Sequence, residues 1–157
     1  MQLPFHTALS PEQQRHAGLS EPQPLAMADK VRFSELDVLN HVNNAVYMSW
    51  FESLRIQYTQ IWGISTYDDN ADNPRIVVHS GSIRYLQELR MGEVYITTCR
   101  CTGFRNTSYS VAQQLWSGRT LRATFECVLV LLAQSGSGKF PIPDAVRERF
   151  KLSLIHI

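Results

Sequence analysis

A polar stretch in the first third of the chain brings together residues that can act on a carbonyl group. Residues 35–53 read ELDVLNHVNNAVYMSWFES, and residues 37–44 within them hold one aspartate, one histidine and three asparagines. A carboxylate such as Asp37 can act as a general base on a water molecule or as a nucleophile on a carbonyl carbon. His41 can orient the substrate, the water or Asp37 itself. These residue types indicate acyl-group chemistry, and the alternative is that they only cap the helix that follows.

The helix after this stretch predicts where a carbonyl oxygen would bind. Apolar residues recur at spacings of three and four over residues 47–62, and Gly63 follows as a C-cap, which predicts a helix over residues 44–62. Asn43 and Asn44 stand at its start, where the first backbone N–H groups lack acceptors within the helix. The helix dipole also favours negative charge at this end. A carbonyl oxygen that gains charge during nucleophilic attack would therefore be stabilised there.

Segments rich in β-branched and aromatic residues supply a surface for this helix. Strands are predicted at about residues 30–35, 75–86, 93–102, 108–116 and 120–132, with glycines in the breaks. The last four have no helical segment between them, which favours an antiparallel four-stranded meander. Residues 140–150 predict a short terminal helix with Pro143 near its start. The expected fold class is α+β.

Length and local composition set the domain boundaries. The chain has 157 residues, 44% of them hydrophobic, which is the size of one domain with one core. Residues 1–26 show neither helical nor strand periodicity, so we expect a loosely ordered N-terminal extension before a domain over residues 27–151. Residues 152–157, LSLIHI, match the translation of a transposon end used to build sequencing libraries. We therefore expect a non-native C-terminal tail there.

Charge, hydropathy and cysteine content exclude several kinds of partner. The 15 basic and 14 acidic residues are spread along the chain and leave a formal charge of +1, too little to attract nucleic acid or a membrane surface. No apolar run approaches the roughly 20 residues that a membrane span needs. Three cysteines, an odd number, and the lack of a signal-peptide pattern favour a reducing cytoplasm. The expected partner is a small molecule or a second copy of the chain.

The polar stretch and three later segments resemble one family. The run LDVLNHVNNAVYMSWFESLR resembles the D-x-x-x-H-V-N-N-x-x-Y motif of the hotdog-fold acyl-CoA thioesterases, in the 4-hydroxybenzoyl-CoA thioesterase superfamily and especially its long-chain acyl-CoA branch. The later segments are similar to that family's second and third strands, its last strand and its usual ending: RIVVHSGSIRYLQELRMGEVYITTCR, RATFECVLVLL and KFPIPDAVRERF. The resemblance covers about residues 31–150. It implies a hotdog fold, in which a five-stranded antiparallel sheet wraps a long central helix, and a homodimer or homotetramer with active sites between subunits.

The resemblance also implies a role for each polar residue of the motif. Asp37 matches the catalytic aspartate of the family. The backbone N–H of Asn44 matches the donor at the helix start that polarises the thioester carbonyl. His41 and Asn43 match the polar residues of the same turn.

Two positions depart from the family pattern. Leu39 stands where the related plant acyl-ACP thioesterases have a catalytic asparagine, which argues against acyl-ACP as the substrate. Asn40 stands where many relatives have glycine, which leaves the shape of the loop open.

The expected function is hydrolysis of fatty acyl or aromatic acyl thioesters of CoA to the free acid and CoA. Thioesters are activated because sulfur overlaps weakly with the carbonyl and leaves as a stabilised thiolate. CoA is part of the substrate, and no further cofactor or metal is expected. The alternatives are an acyl-ACP thioesterase, a hotdog enoyl-CoA hydratase or dehydratase, and a non-catalytic acyl-CoA-binding module.

Other polar residues have ordinary structural explanations. Glu52 has Arg55 three residues later, which favours a salt bridge or an exposed polar face over catalysis. His79 is expected to be a half-exposed strand residue. Cys99 and Cys101 are expected to pack in the core, since a C-x-C pair offers too few ligands for a metal site. A contact with a CoA phosphate is left open among four arginines: Arg84, Arg90, Arg100 and Arg105.

Overall fold

The computed structural model describes residues 2–68, 73–136 and 138–155 of the chain. The helices of these residues are α1 (Pro11–His16), α2 (Asn44–Trp62) and α3 (Asp144–Leu154), and a 3₁₀ turn covers Phe33–Glu35. The strands are β1 (Leu25–Lys30), β2 (Arg75–Tyr85), β3 (Val94–Phe104), β4 (Ser108–Ser117) and β5 (Thr120–Leu132). They form one five-stranded antiparallel sheet in the order β1-β3-β4-β5-β2. The predicted α+β class, with one long helix and a five-stranded antiparallel sheet, is confirmed.

Two details of the strand prediction are wrong. The first strand covers Leu25–Lys30 and not residues 30–35, because Glu35 accepts a hydrogen bond from the N–H of Arg32 and bends this segment into the 3₁₀ turn. β2 pairs with β5 and not with β3, so only β3, β4 and β5 follow one another as a meander. Hydrophobic periodicity indicates that a segment is a strand, but it does not indicate which strand pairs with it.

Helix α2 has the bounds that its apolar spacing predicts. Its buried side chains recur every three or four residues: Tyr47, Phe51, Leu54 and Tyr58. The helix ends at Trp62, and Gly63 follows it with a φ of +79°, a left-handed conformation that glycine adopts without a steric penalty. The N–H of Ile64 then reaches back to the carbonyl of Thr59 at 3.1 Å, as in a Schellman motif.

The chain divides into two compact units, of which the first is Met1–Arg55, Ile83–Arg100 and Gln113–Phe125. In this unit the N-terminal part of α2 packs on the sheet through aromatic pairs. Trp50 stacks on Tyr95 with ring centroids 4.0 Å apart, and Phe51 stacks on Phe125 at 5.8 Å. The side chain of Gln113 donates to the carbonyl of Phe51 at 2.9 Å. These contacts fix the half of the helix that carries the polar motif at its start.

The second unit is Ile56–Ser82, Cys101–Ala112 and Glu126–Ile157, and it has its own aromatic core. The hydroxyls of Thr59 and Tyr109 are hydrogen bonded at 3.0 Å. Phe150 of α3 is fully buried against Trp62 and Tyr109. Helix α3 begins after Pro143 and runs through Leu154, so the predicted terminal helix is confirmed. The expectation that residues 152–157 are non-native stays a prediction, and residues 156 and 157 lie outside the described part of the chain.

The N-terminal residues differ from the expected loose extension. Helix α1 begins with a capping box, in which the N–H of Gln13 donates to the Ser10 hydroxyl and the N–H of Ser10 donates to the Gln13 side chain. Leu9 and Leu19 are buried with Ile96 and two alanines of β1. A helix of six residues is too short to show a periodic pattern, and Gln14 is its buried residue.

Substitution of Leu19 tests whether this segment is part of the fold. Leu19→Ala removes a buried side chain and should lower the free energy of unfolding by about 2 to 5 kcal/mol in a urea titration. Leu152→Ala makes the same change at an exposed position and should leave it within about 0.5 kcal/mol. Equal stability of the two variants would contradict a docked N-terminal segment.

Candidate active site

The polar motif forms a closed loop over residues 36–42. Leu36 and Val42 form an antiparallel bridge, and the N–H of Asp37 donates to the carbonyl of His41 at 2.8 Å. Asn40 has a φ of +62°, in the left-handed region that glycine enters freely and asparagine tolerates best among the other residues. The departure from glycine at this position therefore keeps the backbone conformation that the loop requires.

Asp37 holds the loop with one carboxylate oxygen. Its Oδ1 accepts hydrogen bonds from the N–H groups of Leu39 at 2.8 Å and His41 at 3.3 Å. Within the described residues, Oδ2 has no hydrogen-bond partner, and the side chain is half-buried. One oxygen of Asp37 therefore has a structural role in the loop before α2, and the other can contact a ligand.

Asn43 caps α2 and leaves the N–H of Asn44 open. The N–H of Ala45 donates to Oδ1 of Asn43 at 2.9 Å, and the N–H of Val46 donates to its carbonyl at 2.9 Å. No acceptor for the N–H of Asn44 exists within the part of the chain that the structure describes. The carbonyl of Asn44 accepts a hydrogen bond from the hydroxyl of Tyr85 at 3.2 Å, which holds the helix start in place. The N–H of Asn44 is thus the donor that a ligand oxygen can use.

The His41 side chain points to an acidic partner that the sequence did not indicate. Its Nε2 lies 3.7 Å from Oε1 of Glu88, and the same oxygen lies 3.8 Å from the Arg90 guanidinium. The backbone N–H of His41 contacts the carboxylate of Asp37, whereas its ring is directed at Glu88. This geometry does not support a role in which the imidazole of His41 orients Asp37.

A buried arginine fixes the loop that carries Glu88. The guanidinium of Arg122 donates to the carbonyl of Glu88 at 2.8 Å and to the carboxylate of Glu93 at 3.0 Å. The carbonyl of Leu89 in turn accepts from the N–H of Val42 at 2.9 Å. Hydrogen bonds therefore connect the Asp37 loop to the segment of Glu88 and Leu89, and that segment to Arg122. These residues are far apart in sequence, so only the tertiary structure identifies the contacts.

Tyr47 closes the buried side of the first helical turns. Its ring meets the ring of Tyr85 edge-on, with centroids 5.1 Å apart. Burial raises the pKa of Tyr47, and a hydrogen bond with the backbone of Leu89 opposes this only in part. The phenol therefore stays protonated at neutral pH, and it adds no negative charge near the helix start.

The other residues considered from the sequence lie on the surface or in the core. Glu52 is exposed, and no ion pair joins it to Arg55 in the described ranges; Arg55 is instead buried and donates to the side chain of Gln113 at 3.2 Å. His79 is an exposed residue of β2. The three cysteines are buried, and burial raises the pKa of Cys101 to about 11, which favours the unreactive thiol. Among the residues described, no group of three or more His, Cys, Asp or Glu side chains could hold a metal ion.

Known proteins resemble the chain in both sequence and fold. The family model of the thioesterase-like superfamily matches residues 31–150. A solved structure of a thioesterase superfamily protein from Jannaschia sp. CCS1 is 37% identical with a TM-score of 0.87, over 94% of this chain and 93% of that chain. A thioesterase from Thermus thermophilus, complexed with coenzyme A and Zn, is 31% identical with a TM-score of 0.71, over 83% of this chain and 99% of that chain. The hotdog fold is confirmed.

A more distant structure has the same fold. The hypothetical protein SAV2348 from Staphylococcus aureus, solved in complex with CoA, is 18% identical with a TM-score of 0.76, over 83% of each chain. No curated protein matches the chain. None of the helices in the described residues is long and apolar enough to cross a membrane.

Substitutions of Asn43 test the cap that shapes this site. Asn43→Ala removes the acceptor for the N–H of Ala45 and should lower the free energy of unfolding by about 1 kcal/mol. Asn43→Asp keeps an oxygen at the same place and should retain wild-type stability. Urea unfolding of the three proteins measures the difference, and equal stability for all three would rule out the cap.

Proposed function

We propose that this chain, which belongs to the thioesterase-like superfamily, is an acyl-CoA thioesterase that hydrolyses fatty acyl or aromatic acyl thioesters to a free acid and CoA. The observation that carries the proposal is the short segment 37–44. It joins a carboxylate with one open oxygen to a helix start with one open N–H. A thioester carbonyl that binds at the helix start would have the Asp37 carboxylate of the same segment within reach.

The two groups suit the two demands of acyl transfer. The N–H of Asn44 donates to the carbonyl oxygen as negative charge develops on it, and the helix dipole favours that charge by about 0.3 to 1 kcal/mol. Asp37 takes a proton from water while the water oxygen bonds to the carbonyl carbon; the C–S bond then breaks, and the proton passes to the CoA thiolate. In a second route Asp37 attacks the carbon itself and the C–S bond breaks to release the CoA thiolate. Water then hydrolyses the resulting anhydride, which frees the acid, restores the Asp37 carboxylate and supplies the proton that the thiolate takes up. Oδ2 serves in either route.

The rate enhancement expected from one oxyanion donor and one general base is enough for an activated substrate. One oxyanion donor contributes roughly 10²- to 10³-fold and a placed general base roughly 10²- to 10⁴-fold, together about 5 to 9 kcal/mol if they add. This is enough for a thioester, whose leaving group is a stabilised thiolate, and small for an amide.

CoA as the acyl carrier is supported by one substitution and one neighbouring side chain. Leu39 replaces the asparagine that the resemblance assigns to acyl-ACP enzymes. Arg90 is largely exposed and lies beside Glu88, the residue that His41 also approaches, so of the four arginines it is the one that we assign to a phosphate of CoA. The Thermus relative, which is complexed with coenzyme A, adds support for the same carrier.

We also propose that the active form is a homodimer or a larger homo-oligomer. β2 is an edge strand of 11 residues, and Val77 and Val78 on it are 40% and 49% exposed. An edge strand offers unpaired N–H and carbonyl groups to another strand. A second copy that pairs along β2 would cover these groups and the valines together.

Asp37→Asn tests the chemistry without removing the loop. The amide oxygen can still accept from Leu39 and His41, while the basic Oδ2 is lost. Turnover should therefore fall about 10²- to 10⁴-fold, measured as thiol release from a panel of acyl-CoA chain lengths. Asp144→Asn, the same change at an exposed residue of α3, should retain full turnover. Wild-type turnover in Asp37→Asn would sink the assignment.

The same assay separates the competing functions. An acyl-ACP thioesterase would release thiol faster from one acyl chain on carrier protein than on CoA. A hydratase or dehydratase would add or remove water on an acyl-CoA with no thiol released. A binding module would bind acyl-CoA stoichiometrically, with no thiol released over time.

Sedimentation velocity tests the assembly. The wild-type protein should sediment as a dimer or tetramer, and Val78→Lys should shift it toward the monomer because a buried charge at the strand edge is unfavourable. Val94→Lys introduces the same charge at a half-exposed position of β3, which is not an edge strand, and should leave the assembly unchanged. A wild-type monomer with full turnover would contradict active sites between subunits.

A further inference from the structure

Glu35 makes hydrogen bonds to three separate segments around the candidate site. Its Oε1 accepts from the N–H of Arg32 at 2.8 Å, and its Oε2 accepts from the indole N–H of Trp50 at 2.7 Å. Its carbonyl accepts from the N–H of Asn43 at 2.9 Å. One residue therefore contacts the turn before the polar loop, the cap of α2 and a side chain within α2.

The Trp50 side chain is held firmly enough to fix Glu35. Its ring stacks on Tyr95 with an interplanar angle of 21° and contacts the ring of Tyr47 at 5.6 Å. The indole is partly buried, so water has only limited access to the bond between its N–H and the carboxylate oxygen. A hydrogen bond to a charged acceptor in such a place is stronger than one between neutral groups.

The chemistry of these bonds requires a carboxylate at position 35. Two N–H donors, from Arg32 and Trp50, each meet a different carboxylate oxygen. A glutamine offers one acceptor oxygen, and its amide N–H₂ would face the remaining N–H donor. Capping of a 3₁₀ turn alone needs only one acceptor, so the second oxygen has a separate role.

We propose that Glu35 and Trp50 form a positioning pair that sets the Asp37 carboxylate against the open N–H of Asn44. Glu35 precedes Asp37 by two residues, and Trp50 lies in the second turn of the helix that Asn44 begins. Their hydrogen bond therefore joins the chain that carries the carboxylate directly to the helix that carries the donor. A displacement of about 1 Å at a reacting group can lower a rate by about 10²-fold. The inference rests on the proposed thioesterase chemistry, and it assigns neither residue a contact with the substrate.

Trp50→Phe removes the indole N–H and keeps an aromatic ring on Tyr95. With an acyl-CoA that the wild-type protein hydrolyses, kcat should fall at least about tenfold while KM stays within about twofold. Glu35→Gln should behave similarly, and the double variant should be no slower than the slower single variant because the two residues act as a unit. Trp116→Phe is the matched control: it removes an indole N–H bond of 2.9 Å to Gln114, and kcat should be unchanged.

A second measurement does not depend on activity. Hydrogen exchange of the amides of Asn43, Ala45 and Val46 should become about tenfold faster in Trp50→Phe than in the wild-type protein or in Trp116→Phe. If Trp50→Phe retains the kcat of Trp116→Phe, or if exchange at these amides is unchanged, the pair does not position the site. If Asp37→Asn loses turnover while both Trp variants keep it, the proposed function stands and this inference is overturned. If the wild-type protein releases no thiol, the proposed function fails, and unchanged exchange would overturn the positioning role as well.

Discussion

The first turn of a helix has N–H donors for which the helix itself supplies no acceptors. The polar loop of this protein supplies acceptors for some of these donors at the start of α2. Asn43 supplies acceptors for Ala45 and Val46, which is enough to hold the helix start together. It leaves the N–H of Asn44 open among the described residues. A fully satisfied start would have no affinity for a carbonyl oxygen, and an uncapped start would fray. The proposed binding of a carbonyl oxygen therefore depends on a helix start whose donors are only partly satisfied.

Asp37 is also only partly satisfied, because its two carboxylate oxygens differ in their contacts. One oxygen closes the loop by accepting from the backbone, and this fixes the direction in which the other oxygen points. A carboxylate that was free to rotate would lose part of its effect as a base, because orientation is a large share of catalysis in a bound complex. A structural role and the proposed chemical role are therefore compatible in this side chain, since they use different oxygen atoms.

Local patterns predicted the parts of the site that lie close together in sequence. The aromatic spacing and Gly63 fixed both ends of α2, and the residue types of 37–44 identified a carboxylate and a helix start. Glu88 and Arg122 were missed because they reach the loop only after β2 and β5 have paired. The spacing of Glu52 and Arg55 predicts a salt bridge or an exposed polar face, yet the buried Arg55 donates to the side chain of Gln113 on β4. Patterns of three and four residues carry no information about such contacts.

The two edges of the sheet are in different states, and this difference bears on how copies could associate. On β1, the N–H groups of His6 and Leu9 donate to the carbonyls of Ala28 and Ala26, and Phe5 bridges to Ala28. The N-terminal segment thus supplies part of the hydrogen bonding that another strand would otherwise provide. On β2, Val77 and Val78 are half-exposed along an edge of 11 residues. If both edges were open, copies could add at either edge and the assembly would not close. Because the N-terminal segment pairs with part of β1, the proposed two-fold pairing along β2 would give a closed dimer.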